Sequence, residues 1–96
     1  MVDMKTILEH NEDCPVRAIG KGLVIVSPEE NETHSIEDIG AFIWSRIDGK
    51  KDLDNILDEI LREYEVAAST ATQDLQTFIS QLMDAKLVLP VQKVNH

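Results

Sequence analysis

The spacing of apolar residues changes once along this chain, near Ser35, and that change constrains the fold more than any other feature. Before it, the pattern is that of short strands. Val16 and Ala18 alternate with Arg17 and Ile19, Gly20-Lys21-Gly22 reads as a tight turn, and Leu23 to Val26 is apolar at every position, as in a strand covered on both faces. Ser27 to Glu32 reads as a turn punctuated by Pro28 and Asn31. A third short strand is expected at Thr33 to Ile36, with His34 and Ile36 directed to one face and Thr33 and Ser35 to the other. As the last strand of a meander it would leave a row of backbone N–H and C=O groups unpaired.

After Ser35 the period becomes helical. Ile36, Ile39, Gly40, Ile43, Trp44 and Ile47 fall on one helical face, with Ser35 and Asp38 placed to cap it and Gly49 to end it. Asp52 can cap a second helix whose apolar face is Leu53, Ile56, Leu57, Ile60, Leu61 and Tyr64 and whose outer face is acidic. Thr70 and Gln73 resemble a capping box for a third helix, with Ala71, Leu75, Phe78, Ile79, Leu82 and Met83 on its apolar face. Leu87 to Leu89 then run extended to Pro90. Strands followed by helices indicate an α+β domain, here winged-helix-like: a short three-stranded antiparallel sheet followed by three helices. Residues 1–13 read as an N-terminal arm, frayed or one helical turn, 14–89 as the domain and 90–96 as a C-terminal tail.

Charge and length narrow the function. Ninety-six residues make one domain with a modest core, too small for a deep substrate cavity, so an enzyme is not expected. Eighteen Asp and Glu against nine Lys and Arg give a net charge of −9, which repels nucleic acid and anionic membrane surfaces. A helix-turn-helix reader would need cations on its recognition helix, yet Thr70 to Ala85 contains no Lys or Arg. No apolar stretch is long enough to span a membrane and no secretory signal stands at the start, so a cytoplasmic location is expected.

Site chemistry is sparse. His10, His34 and His96 are far apart and Cys14 is single, so no metal-ligand spacing or Cys–His nucleophile pair is present. Glu30, Glu32 and His34 could converge on one strand face, but they lack the second imidazole or thiolate of a tight transition-metal site. Gly20-Lys21-Gly22 lacks the spacing of a phosphate loop. Cys14 reads as a small buried or edge-strand residue, and Trp44 and Phe78 as core. No catalytic residue, metal or cofactor is therefore expected. What remains is the strand edge at Thr33 to Ile36, flanked by Glu29, Glu30, Glu32, Glu37 and Asp38, with the third helix able to face it across a groove. Such an edge can accept an extended peptide as an added strand.

The run Thr33-His34-Ser35-Ile36-Glu37-Asp38-Ile39-Gly40-Ala41-Phe42-Ile43-Trp44 carries a further signal. With Asp48-Gly49-Lys50, then Ile56, Ile60 and Tyr64-Glu65-Val66, then Asp74-Leu75, Phe78-Ile79 and Leu82, it resembles the PqqD family. This is the coenzyme pyrroloquinoline quinone synthesis protein D group, also known as peptide recognition elements for ribosomally made, modified peptides. The resemblance spans about residues 14–89. It implies a non-catalytic peptide chaperone that binds a precursor's leader as an extra strand between the third strand and third helix. The leader is then presented to a modifying enzyme, often of the radical S-adenosylmethionine type. By position, Thr33, His34, Ser35 and Ile36 would offer backbone groups, and Leu75, Phe78, Ile79 and Leu82 would supply the opposite wall. Two departures stand out: Ile36-Glu37 where many members have Leu-Asn, and Ile47 where those of the quinone pathway carry Cys before Asp-Gly. The second bears on which peptide is bound, more than on how.

The expected function is thus leader-peptide recognition in the biosynthesis of pyrroloquinoline quinone or a related peptide-derived product. The alternative is an acidic protein–protein adaptor that uses the second helix and not the sheet edge.

Overall fold

The computed structural model describes residues 2–27 and 31–91. The centre of the expected turn, Pro28 to Glu30, and residues 92–96 with His96 lie outside the described residues. In chain order the elements are β1 (Leu8–His10), β2 (Val16–Ile19), β3 (Gly22–Ser27), β4 (Glu32–Ile36), α1 (Ile39–Arg46), α2 (Leu53–Glu63), α3 (Ala68–Asp84) and β5 (Val88–Pro90). Strands β2, β3 and β4 form an antiparallel sheet in that order, and three helices follow, as the change of period requires.

The hairpin between β2 and β3 turns through Gly20 and Lys21, with Gly20 at φ +59°, the left-handed conformation that a tight two-residue loop demands. Asp52 caps α2 as its sequence suggests, its carboxylate accepting from the Asn55 N–H at 2.9 Å. The other two caps differ from expectation. Ser35 stays in β4, and Asp38 precedes α1 at φ +53° with no side-chain cap; the carbonyl of Glu37 instead accepts from the Gly40 N–H at 3.0 Å. Helix α3 starts at Ala68, two residues before the predicted capping box, so Thr70 and Gln73 sit inside its first turns. Packing of the apolar stripe from Ala71 onward outweighs the small gain of a side-chain cap.

The larger correction concerns residues 1–13. Leu8–His10 is a strand, not a frayed arm or helical turn, and it pairs antiparallel with β5, Leu8 opposite Pro90 and His10 opposite Val88. Leu8 is only 1% exposed, and the His10 ring stacks on Trp44 with centroids 3.9 Å apart while its Nε2 lies 2.8 Å from the Trp44 carbonyl. The chain start is thereby fastened to the end of α1.

One continuous core contains Leu8, Ile25, Ile36, Ile43, Trp44, Leu53, Ile56, Ile60, Leu75, Ile79, Leu82, Leu87 and Val88. Cys14 is buried, as expected. Among the described residues no helix is long and apolar enough to cross a membrane, and no group of three His, Cys, Asp or Glu could hold a metal ion.

Candidate functional site

The sheet has two outer edges, β2 and β4, and the ladder decides which backbone groups each exposes. The Val26 N–H donates to the Pro15 carbonyl at 3.0 Å, so Gly22, Val24 and Val26 direct their backbone groups toward β2. Leu23, Ile25 and Ser27 therefore bond to β4, through their partners Ile36, His34 and Glu32. The N–H and C=O of Thr33 and Ser35 point the other way, out of the sheet. Of the four β4 residues predicted to bind through the backbone, Thr33 and Ser35 offer their groups outward, whereas His34 and Ile36 spend theirs on β3.

Side chains follow the complementary alternation. Ile36, His34 and Glu32 share a face with Leu23, Ile25 and Ser27, the face turned to the helices. Ile36 is 5% exposed and anchors the end of β4, while Ser27 Oγ reaches the Ala85 carbonyl near the end of α3 at 3.5 Å. His34 lies between these anchors, half-buried. Its Nε2 is closed off from solvent and meets no hydrogen-bond partner among the described residues. A buried polar atom left so costs about 1–3 kcal/mol.

The helical side of the site is an apolar pocket of about 180 Å³ lined by Ile39, Gly40 and Ile43 of α1, Ile60 of α2, Val66, and Ala71, Asp74, Leu75 and Phe78 of α3. Gly40 makes it possible. A Cβ there would lie 2.9 Å from Ile36 Cγ2 and 3.3 Å from Phe78 Cζ, so the missing side chain lets α1, the end of β4 and α3 converge. An apolar hole of about 150 Å³ accommodates a benzene ring, so this one can take a single aromatic or branched aliphatic side chain. Asp74 is exposed at its rim.

The predicted wall residues divide. Leu75 lines the pocket and is fully buried beneath it, and Phe78 is half-buried beside Gly40. Ile79 at 0% and Leu82 at 3% exposure belong to the core and hold α3 in place. Ile39, Ile43, Ile60, Val66, Ala71 and Asp74 also border the site, which residue spacing alone does not indicate. A glycine on the apolar face of a helix was the one sequence signal for a close approach there.

The chain matches the family description "Coenzyme PQQ synthesis protein D (PqqD)" over residues 22–88, and it belongs to that family. Its fold is similar to that of a solved structure described as TbiB1 in complex with the TbiA(beta) leader peptide. The TM-score is 0.75 at 22% identity, covering 91% of this chain and 99% of that one. A comparison with curated protein sequences gives no match.

Proposed function

We propose that this chain is a non-catalytic peptide-recognition protein that binds the leader segment of a precursor peptide by β-strand addition along β4. It would present that leader, in the cytoplasm, to a modifying enzyme of the radical S-adenosylmethionine type, in the synthesis of pyrroloquinoline quinone or a related peptide-derived product. The observation that carries the reading is the outward backbone of Thr33 and Ser35 beside an open apolar pocket at Gly40 and Phe78. Membership of the PqqD family and a fold shared with a protein solved with a leader peptide support it.

The energetics are consistent with a reversible carrier. Thr33 and Ser35 offer two donors and two acceptors, each bond contributing about 0.5–1.5 kcal/mol net. One anchor buried in the pocket adds about 1.5–3 kcal/mol, and ordering the peptide costs about 2–5 kcal/mol. With a second apolar contact on α3 and the loss of rigid-body freedom on association, these ranges leave a weak, reversible complex with a Kd in the micromolar range or above. The acidic second helix is a weaker candidate surface, because its acids are partly engaged: Glu59 lies 3.6 Å from Arg46 and 3.4 Å from Lys51, and Asp54 lies 2.8 Å from Lys5.

The test is to titrate a synthetic leader, taken from a short precursor encoded beside this gene, into isotope-labelled protein while following backbone amides. The expected result is that the amides of Thr33 and Ser35 shift and become protected from exchange, together with side-chain signals of Phe78. Shifts confined to α2 would replace this reading with the adaptor.

A further inference from the structure

The family resemblance implies a backbone role for His34, but the ladder gives its N–H and C=O to Ile25 and leaves its side chain as the part with something unmatched. We propose that His34 is a specificity-determining residue: its imidazole selects a leader residue bearing a hydroxyl or carboxamide at the position directly opposite, two residues from the apolar anchor. This rests on the strand-addition reading and adds to it the chemistry of the peptide.

The position follows from parity. A strand added antiparallel to β4, in keeping with the rest of the sheet, and bonded to Thr33 and Ser35 places the residue facing His34 in a non-hydrogen-bonded pair, where cross-strand side chains approach most closely, with Cβ atoms about 4.5–5.5 Å apart. That residue projects to the helix-facing side, as His34 does. The next residue on the same side is two positions away, opposite Ile36, which touches the pocket through Gly40. Running antiparallel to β4, the peptide thus reads, from its N- to its C-terminal side, as an apolar anchor, one outward residue, then a polar residue.

The chemistry follows from the surroundings. Nε2 of His34 has no partner in the free protein among the described residues, so a small rotation toward an incoming side chain gains a hydrogen bond and breaks none. A hydroxyl or carboxamide can donate or accept, and so suits either imidazole tautomer. A carboxylate is disfavoured by Glu32, Glu37 and Asp38, which are exposed on the same edge. A long cation would leave its ammonium on the helix-facing side, away from the solvent that Lys and Arg head groups seek.

The experiment selects a displayed library of random peptides about a dozen residues long on the wild-type protein and on His34→Leu. The expected wild-type motif pairs Ser, Thr, Asn or Gln with an aromatic or branched aliphatic residue two positions away. On His34→Leu the anchor should persist while the polar preference gives way to apolar residues. A selected polar peptide should bind His34→Leu about tenfold more weakly, the loss of one hydrogen bond, while His34→Gln restores most of the affinity. Its ring nitrogen signal should also shift on binding. Peptides that bind in a manner sensitive to Ser35→Pro, yet keep the same preference on His34→Leu, would overturn the role of His34 and leave strand addition standing. Peptides indifferent to Ser35→Pro, or no enrichment at all, would overturn strand addition and this inference with it.

Discussion

The two edges of the central sheet are built from similar short strands and differ in what stands behind them. All four residues of β2 are exposed, Val16 at 46% and Ile19 at 57%, and the trough beside it is walled by β2, β3 and Pro15 without a helix. That trough, about 400 Å³, is larger than the 180 Å³ pocket next to the end of β4, which residues of three helices line. Strand β4 ends on buried Ile36, two residues before α1, and Ile36 and Phe78 of α3 both close on Gly40 of α1. The charges differ as well: Arg17 and Lys21 mark the β2 hairpin, Glu32, Glu37 and Asp38 the β4 side. Unpaired backbone is common to every sheet edge and carries little selectivity. An edge becomes a recognition site when a wall supplies side-chain pockets at the same register.

If the wall behind β4 is the core itself, Leu75→Ala should be the most damaging substitution. Its side chain is fully buried, and its loss should cost about 2–5 kcal/mol in denaturant unfolding. Ile19→Ala on the β2 edge should change stability by less than about 0.5 kcal/mol. Similar losses at the two positions would erase the distinction between the edges. Because of that cost, Phe78→Ala is the cleaner probe of the wall in binding measurements.

Proline substitutions compare the two edges directly. On β2 the outward residues are Val16 and Ala18, since Arg17 and Ile19 bond to β3. Ser35→Pro should weaken leader binding about tenfold or more, near 1.4 kcal/mol, in calorimetric titration. Ala18→Pro should leave affinity unchanged. Equal effects would place the peptide on neither edge or on both. His34→Pro is expected instead to break the native ladder to Ile25 and lower stability.

The charge contrast predicts a smaller, ionic-strength-dependent effect. A leader carrying Lys or Arg beside its apolar anchor should bind several-fold more weakly as salt rises from about 50 to 500 mM, mainly through a slower on-rate. Stopped-flow association rates that ignore salt would remove the acidic flank from the site.

The smallest effect is expected at Asp48, in the turn between α1 and α2, away from both edges. The backbone N–H groups of Lys51 and Lys50 donate to its Oδ1 at 2.9 Å and hold its carboxyl below the usual 3.8. A folded-state pKa below the unfolded one stabilises the fold above about pH 4, and the contribution disappears as pH falls through the folded value. The group is exposed, so the change is small. Asp48→Asn should flatten that acid limb of the stability profile slightly without altering leader affinity. An unchanged profile would mean that the turn bonds do not contribute.

Much of this organisation is legible in residue spacing alone. Period-two segments before Ser35, helical periods after it and the Asp52 cap are local properties, set by side-chain direction and backbone chemistry within a few residues. The strand Leu8–His10 was not legible, because three residues carry little periodic signal and their partner, Val88–Pro90, lies at the other end of the chain. The stripe Leu75, Phe78, Ile79 and Leu82 was legible as apolar. Which members line a pocket and which fill the core depends on the rotation of α3 against α1 and β4, set by the contact at Gly40.

Composition and period determined that this chain is acidic, has a small sheet backed by helices, and leaves a strand edge at Thr33 to Ile36. The tertiary structure alone decided that Thr33 and Ser35 turn their backbone outward while His34 turns its side chain inward. Gly20-Lys21-Gly22 can close a hairpin at more than one length, and a shift of one residue along a strand exchanges both its faces and its edges. Only the observed pairing of Val26 with Pro15, propagated through β3 to β4, selects one of those arrangements.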